Sequence, residues 1–400
     1  MQLNSLLGHA AELVRIIRKS PQPGDAIASE YFRSKKYIGA SDRRFISGLV
    51  FHTLRTLSFS EAVQLHCGLE DIVHGAHMLL EQPDQIDQAW IDSLPLHVRI
   101  CTQDWLLAST QHRWPSDAWR VWDAMKSSAP LVLRVNLRRA SRDAVLKKLI
   151  EEGLNATPGE LSPAAILIHQ RVNLLQHPLY LNGIVEVQDE GSQLIGYACA
   201  PREHDIVFDA CAGAGGKTLH IADLQNDHGR VIAHDIEWNR LKEIPKRAER
   251  AGLRSIKLET SKQRDQRGLP QADIVLVDAP CSGLGTVRRL PTVKWRITPE
   301  TLARHARKQL QVLDQYAGIV APGGILVYAT CSLMPEENER VIEQFLSQHH
   351  EFVPDPLAPC FARHGITIPG VLGDQATVQV DPYHHNTDGL FMARMRRSKA

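Results

Sequence analysis

The sequence predicts an α/β protein whose second half, 190–400, is an open and mostly parallel sheet. A small α+β module over 127–189 and an all-helical domain over 1–126 precede it. Three observations carry this. Beyond residue 190, short apolar runs alternate with helix-period runs, the pattern of strand–helix–strand units. A glycine-rich turn joins the first such strand to the first such helix. Before residue 126, apolar residues recur only at helical spacing.

Taken in order, Leu6, Leu7, Ala10, Leu13, Ile16 and Ile17 form the first helical stripe, and Phe45, Leu49, Val50 and Leu54 a later one. Ser41-Asp42 reads as the start of that later helix, while Pro21, Pro23 with Gly24, and Pro83 mark breaks. Five or more short helices are expected. In the middle module, 131–135 and 165–168 read as strands. Between them lies an amphipathic helix carrying Ala144, Val145, Leu149 and Ile150, with Gly153 beyond its end. Strands then follow at 206–209, 231–235, 256–258, 274–278 and 325–330, with helices at 216–225, 238–252, 299–320 and 336–348.

Composition narrows the class. The chain is 43% hydrophobic and 23% charged, enough for a core and too apolar for a disordered chain. Net charge is +1, so the total identifies no partner, but seven basic residues against one acid crowd 284–310. Clustering of that kind permits polyanion binding. Seven cysteines without a C-x-x-C exclude a disulfide framework and a zinc ribbon, and no metal is expected. The N-terminus lacks a basic start followed by a long apolar run, and no stretch approaches the ~18 apolar residues of a membrane span. A reduced, cytoplasmic, monomeric protein with no membrane partner is expected.

Two constellations carry chemistry. The run DACAGAGGKT takes a strand through a glycine-rich turn into a helix, so Cys211, Ala212, Gly213, Ala214, Gly215, Gly216 and Lys217 are candidates for binding a ligand on backbone amides. Asp235, at the end of the next strand, is placed to accept ribose hydroxyls. Together they predict a nucleoside-bearing cofactor. A phosphate-binding NTPase loop is the rival, but its first glycine would fall at 211, which is cysteine. The second constellation is a pair of strand ends, Asp278-Ala-Pro-Cys281-Ser and Thr330-Cys331-Ser. Ligands in such sheets bind beyond the carboxyl ends of the strands, so both thiols are expected to face one cleft. From the residues alone either could be the nucleophile. Arg288, Arg289, Lys294 and Arg296, interleaved with Trp295, are candidate polyanion contacts through phosphate and stacking, with a solvated loop around a core tryptophan as the alternative.

The runs DACAGAGGKT, DAPCSGLGTVRRLPTVKWR and TCSLMPEENE resemble the cofactor and cysteine motifs of the RsmB/Nop2/Sun family of RNA cytosine-5 methyltransferases. Pro130–Asn136, Glu186–Ser192 and Thr387-Asp-Gly-Leu-Phe391 add to a resemblance that covers about 130–400. Upstream it rests on Ser41-Asp-Arg-Arg-Phe-Ile46, which is similar to the NusB-like extension of the bacterial branch acting on 16S ribosomal RNA. No further C-terminal RNA-binding domain is expected after Phe391. The resemblance implies a Rossmann-like class I methyltransferase domain, S-adenosylmethionine as cofactor and ribosomal RNA as partner. It also implies Cys331 as nucleophile, Cys281 assisting release, Asp278 on the cytosine edge and Lys217 beside it. A transfer RNA substrate, or an assembly factor without catalysis, are the alternatives. The family often carries an acid after the third strand; here Thr260 aligns with it and Glu259 is adjacent.

Overall fold

In the computed structural model of the chain, residues 1–170, 172–259 and 271–399 are described. Thr260 lies outside them. The chain divides into two compact units, Met1–Ser128 with Thr286–Thr298, and Ala129–Gly285 with Pro299–Ala400.

The first unit is all helical, as expected. Its opening helix, Leu3–Lys19, buries Leu6, Leu7, Ala10, Leu13, Val14 and Ile17 along one face and ends on Arg18 and Lys19. Cations there favour the negative end of the helix dipole. Pro23 stands at the N-cap of the next helix, Gly24–Ser34. The helix expected to start at Ser41-Asp42 begins at Ala40 with Gly39 at its cap, and runs to Arg55.

The second unit holds two sheets. Strands β1 (Leu131–Val135), β2 (Ala156–Pro158), β3 (Ala165–Ile168) and β4 (Val185–Val187) form an antiparallel sheet in the order β2-β3-β1-β4. Helix Arg142–Glu151 lies between β1 and β2; Ser141 caps its start, and Gly153 beyond its end takes a positive φ of 83°. With the short helix Pro178–Leu181 before β4, this is the ferredoxin-like βαββαβ arrangement. The module is not free-standing. Asn136 donates to the Ala251 carbonyl at 3.1 Å, and a Cβ on Gly183 would stand 2.0 Å from the Arg250 carbonyl oxygen. Its contacts merge it with the larger sheet.

That sheet contains β5 (Ile206–Asp209), β6 (Arg230–His234), β7 (Ile256–Glu259), β8 (Ala272–Asp278), β9 (Val320–Thr330), β10 (Phe352–Pro354), β11 (Thr377–Val380) and β12 (Leu390–Arg397). The order is β10-β12-β9-β8-β5-β6-β7, with β11 on β12. Strands β5 to β9 are mutually parallel, and β12 closes antiparallel on β9 with Phe391 opposite Thr330. The chain proceeds from β5 outward to β7, then returns to the other side of β5 as β8. That reversal opens a crevice between the ends of β5 and β8. The helical pattern at 238–252 is interrupted, giving Trp238–Leu241 and Ile244–Ala251. Helix Glu190–Cys199, not anticipated, is buried at every residue except Ser192. A helix buried on all sides shows no apolar stripe in the sequence.

Candidate active site

Strand β5 delivers Asp209 to the crevice, and the chain turns through the glycine-rich loop into helix Gly216–Leu224. Gly215 has φ +86°, and a Cβ there would stand 2.7 Å from Ile244 and 2.9 Å from Leu219. Only glycine fits. Gly213 and Gly216, by contrast, face open space. Asp235, just past β6, accepts from the Gly213 amide at 2.9 Å and from the Glu237 amide at 2.8 Å. It therefore shapes the loop as well as standing at its edge. His234 accepts the Ala212 amide on its carbonyl, and its ring meets the Glu259 carbonyl at 2.9 Å.

Two arginines hold the loop from outside. Arg134, buried on β1, donates to the Gly216 carbonyl at 2.8 Å and to Gln188. Arg247 donates to the Ala214 carbonyl and, at 2.9 Å, to the buried carboxylate of Glu186 on β4. The ferredoxin-like module thus supports the ligand loop of the larger sheet.

At the crevice Lys217 donates to Asp278 at 2.5 Å, joining the helix after β5 to the end of β8. Burial works against the lysine's charge, but Asp278 outweighs it and holds the ammonium above its usual range. Both line a cavity of about 300 Å³ together with Asp209, Cys211, Ala212 and Gly216. The Cys211 thiol is pushed up by burial and by the surrounding carboxylates. Asp209 is the most unusual of these groups. Its Oδ2 accepts from Thr218 at 2.7 Å, while the buried Oδ1 has no hydrogen-bond partner of ordinary geometry, although the Cys211 amide lies close by. Burial pushes its carboxyl up to about 7.

The two thiols meet. Strands β8 and β9 are parallel neighbours with Asp278 opposite Ala329, and beyond their ends Cys281 Sγ lies 3.2 Å from Cys331 Sγ. This contact, then burial, raises the Cys281 thiol well above the ordinary range. Both loops hang from one acid. Glu337, fully buried, accepts from the Ser282 amide at 2.8 Å, the Ser282 hydroxyl at 2.5 Å, the Ser332 hydroxyl, and Gln309 at 3.0 Å.

The basic run following the first cysteine motif has a different fate. Residues 286–298 pack into the helical unit. Lys294 is fully buried and donates to the Arg55 carbonyl at 2.8 Å; Trp295 donates to Leu54 at 2.9 Å, and Arg296 to Ile17 at 2.7 Å. Those carbonyls lie in the last turns of helices Ala40–Arg55 and Leu3–Lys19, where helices leave acceptors unmatched. Arg288, also buried, donates to the Ser128 carbonyl at 3.3 Å. Arg289 is half-buried. Lys294, Trp295 and Arg296 thus meet helix-end carbonyls and Arg288 a loop carbonyl; Lys294 and Arg288 are buried, where a cation is tolerable only against acceptors that need one, whereas Arg296 stays exposed. Burial lowers the Lys294 ammonium to about 8.

Asp209, Arg134, Arg247 and Glu337 were not anticipated. Arg134 carried a signal, a charge in the middle of the apolar run LVLRV, which burial obliges to find a partner. Among the described residues no His, Cys, Asp and Glu cluster could hold a metal, and no helix is long and apolar enough to cross a membrane.

The family described as 16S rRNA methyltransferase RsmB/F matches residues 196–396, and an RsmF/B-like ferredoxin-like domain matches 103–175. A probable ribosomal RNA small subunit methyltransferase B of Bacillus subtilis is 36% identical over 277 residues, covering 66% of this chain and 59% of its own length. Its counterpart in Synechocystis is 31% identical over 341 residues, covering 83% of this chain and 75% of that protein. A methyltransferase homologue from Pyrococcus horikoshii, known as a crystal structure, superimposes with a TM-score of 0.63 at 27% identity, over 78% of this chain and all of that one. With the glycine-rich loop, the switch-point crevice and the paired strand-end cysteines in place, this chain belongs to the 16S rRNA methyltransferase RsmB/F family.

Proposed function

We propose that this protein transfers a methyl group from S-adenosylmethionine to C5 of a cytosine in RNA, with 16S ribosomal RNA as substrate, through a transient bond between Cys331 and C6. The observation that carries this is the thiol pair, 3.2 Å apart beyond neighbouring strand ends and next to Asp278 and its Lys217 partner. A cytosine C5 is too weak a nucleophile to be methylated unaided, and a thiolate added at C6 turns the ring into an enamine.

The residues fit the cofactor. Gly213 and Gly216 leave room for close approach, and Asp209, lining the cavity, is a carboxylate acceptor for the ammonium of an amino-acid moiety. Asp235 retains lone pairs for ribose hydroxyls. S-adenosylmethionine supplies an electrophilic sulfonium methyl.

The chain's own groups do the rest. The Cys331 thiol gives its proton to solvent and adds as thiolate to C6, the C5–C6 π electrons passing to C5, while Asp278, oriented by Lys217, holds the N3/N4 edge. Addition takes the Cys331 sulfur out of the contact that most raises the Cys281 thiol. Cys281 is then free to lose its proton to solvent and take the proton from C5. The C5–H electrons form the C5–C6 double bond, the C6–S bond breaks, and Cys331 leaves as thiolate.

The test is bisulfite sequencing of 16S ribosomal RNA incubated with the protein and S-adenosylmethionine. The expected result is a new resistant cytosine with wild type and none with Cys331→Ala. Methyl groups found only on ring nitrogens or ribose would overturn the proposal, and resistant cytosines confined to transfer RNA would move the substrate.

A further inference from the structure

We infer that Glu337 is a positioning residue which holds Cys281 and Cys331 at working distance by binding the serine that follows each of them. The inference rests on the cysteine chemistry proposed above. It explains a feature visible in the sequence, a serine directly after both cysteines, that catalysis by the thiols alone leaves unaccounted for.

The geometry is specific. Oε1 of Glu337 accepts from the Ser282 amide and from Gln309, and Oε2 accepts from both serine hydroxyls. Four donors saturate an ionised carboxylate, so the acid is buried at full occupancy and offers nothing to a ligand. Its donors come from three elements: the loop after β8, the loop after β9, and helix Pro299–Ala317, which carries Gln309. Gln309 also donates to the Pro280 carbonyl at 3.1 Å, one residue before Cys281. Glu337 is itself held, since Tyr328 donates to its carbonyl at 2.6 Å from inside β9. The next residue, Asn338, accepts from Thr330 at 2.6 Å and donates to the Ser332 carbonyl at 2.9 Å. Ser282, Thr330 and Ser332 are therefore tied to one two-residue anchor and Pro280 to it through Gln309, while the two sulfur atoms touch only beyond these ties.

Such an anchor matters because both sulfurs must act on one ring, one at C6 and the other near C5. Loops at the ends of two separate strands have no covalent reason to stay in register. Without the carboxylate, two hydroxyls and an amide lose their acceptor, and the loops keep only the Gly285 amide to Cys331 carbonyl bond and the serine–serine contact between them.

The experiment compares full-length wild type with Glu337→Ala, Glu337→Gln and the double variant Ser282→Ala/Ser332→Ala, with thermal melts to establish folding. Two readouts are used. The first is steady-state methylation of RNA. A displacement of about 1 Å at reacting atoms costs about a hundredfold, so kcat of Glu337→Ala is expected to fall by that order with KM for RNA and cofactor little changed. Glu337→Gln, which keeps shape and one acceptor, should recover part of the loss. The second needs neither RNA nor cofactor: binding of phenylarsine oxide, which forms two As–S bonds with a thiol pair and releases water. Wild type should bind one equivalent, Cys281→Ala none at this site. The Glu337→Ala and double-serine variants should bind at least about tenfold more weakly, because thiols held together have already given up the freedom that capture removes.

Wild-type arsenical affinity and wild-type kcat in a folded Glu337→Ala and in the double-serine variant would overturn the inference. Weakened capture in a protein whose wild type methylates no cytosine would instead overturn the proposed function and leave the anchor standing.

Discussion

Two buried carboxylates lie beyond β5 and β9, the strands on either side of β8, and they are finished differently. Asp209, at the end of β5, lines the cavity with one oxygen on Thr218 and the other buried beside the Cys211 amide without a partner of ordinary geometry. Glu337, after β9, has four donors on its two oxygens. The first costs the protein free energy, which shows in a carboxyl pushed up to about 7. The second is fully matched. On the proposed function, the unsaturated acid is the one that receives a ligand and the saturated one holds the chain around the chemistry. The same contrast separates the flanking loops, one open on its ligand side at Gly213 and Gly216, the other knotted through Ser282 and Ser332.

The largest effect that could break this comparison is on the receiving acid. Asp209→Asn should weaken S-adenosylmethionine binding by about 1.5–3 kcal/mol, the worth of a hydrogen bond to a charged group, as read by calorimetry. In wild type the affinity should also fall as pH drops below about 7, where the carboxyl takes up a proton, and the variant should lack that dependence. The same group makes a prediction for the free protein. Its folded pKa lies above the unfolded value of 3.8, so the folded state holds the extra proton between about 4 and about 7. Stability from this group is present below that window and lost as pH rises through it. Asp209→Asn should accordingly raise the melting temperature of the cofactor-free protein at pH 8 while impairing binding.

A second way to sharpen it concerns cations rather than acids. Lys294→Met removes the buried donor to the Arg55 carbonyl and should cost about 1–3 kcal/mol in the stability of the helical unit. The salt dependence of RNA binding should stay as in wild type. A flatter log–log slope would mean that Lys294 reaches phosphate after all. Smallest is the effect expected at Asp235, whose carboxylate is already engaged by two loop amides. Asp235→Ala should reduce cofactor affinity by about 1.5 kcal/mol. No change would leave it a loop-shaping residue alone.

What was legible in the sequence follows from how local each signal is. The strands from β5 to β9 announced themselves because parallel strands covered on both faces read as continuous apolar runs. The glycine-rich loop, Lys217, Asp278 and the two cysteines were visible because each lies at the end of such a run, and strand ends are where this fold places ligands. The helix Glu190–Cys199 was not, since burial on all sides erases its period. The basic run at 288–296 is ambiguous in the sequence for a related reason: a cluster of arginine and lysine looks the same whether its acceptors are phosphates or main-chain carbonyls. Glu337 was quoted within its motif but not weighed, because its four donors come from positions 28 to 55 residues upstream and 5 residues upstream. Only the fold brings them together.

The central claim is that Cys331 forms the bond to the base and Cys281 is needed to break it. It is tested most directly by denaturing gel electrophoresis of the protein incubated with S-adenosylmethionine and 16S ribosomal RNA. Cys281→Ala should add and methylate but fail to release, accumulating a protein–RNA species that survives denaturation. Cys331→Ala should form none. A stable adduct from Cys331→Ala with none from Cys281→Ala would reverse the two roles, and adducts from neither, with RNA binding intact, would contradict the covalent mechanism.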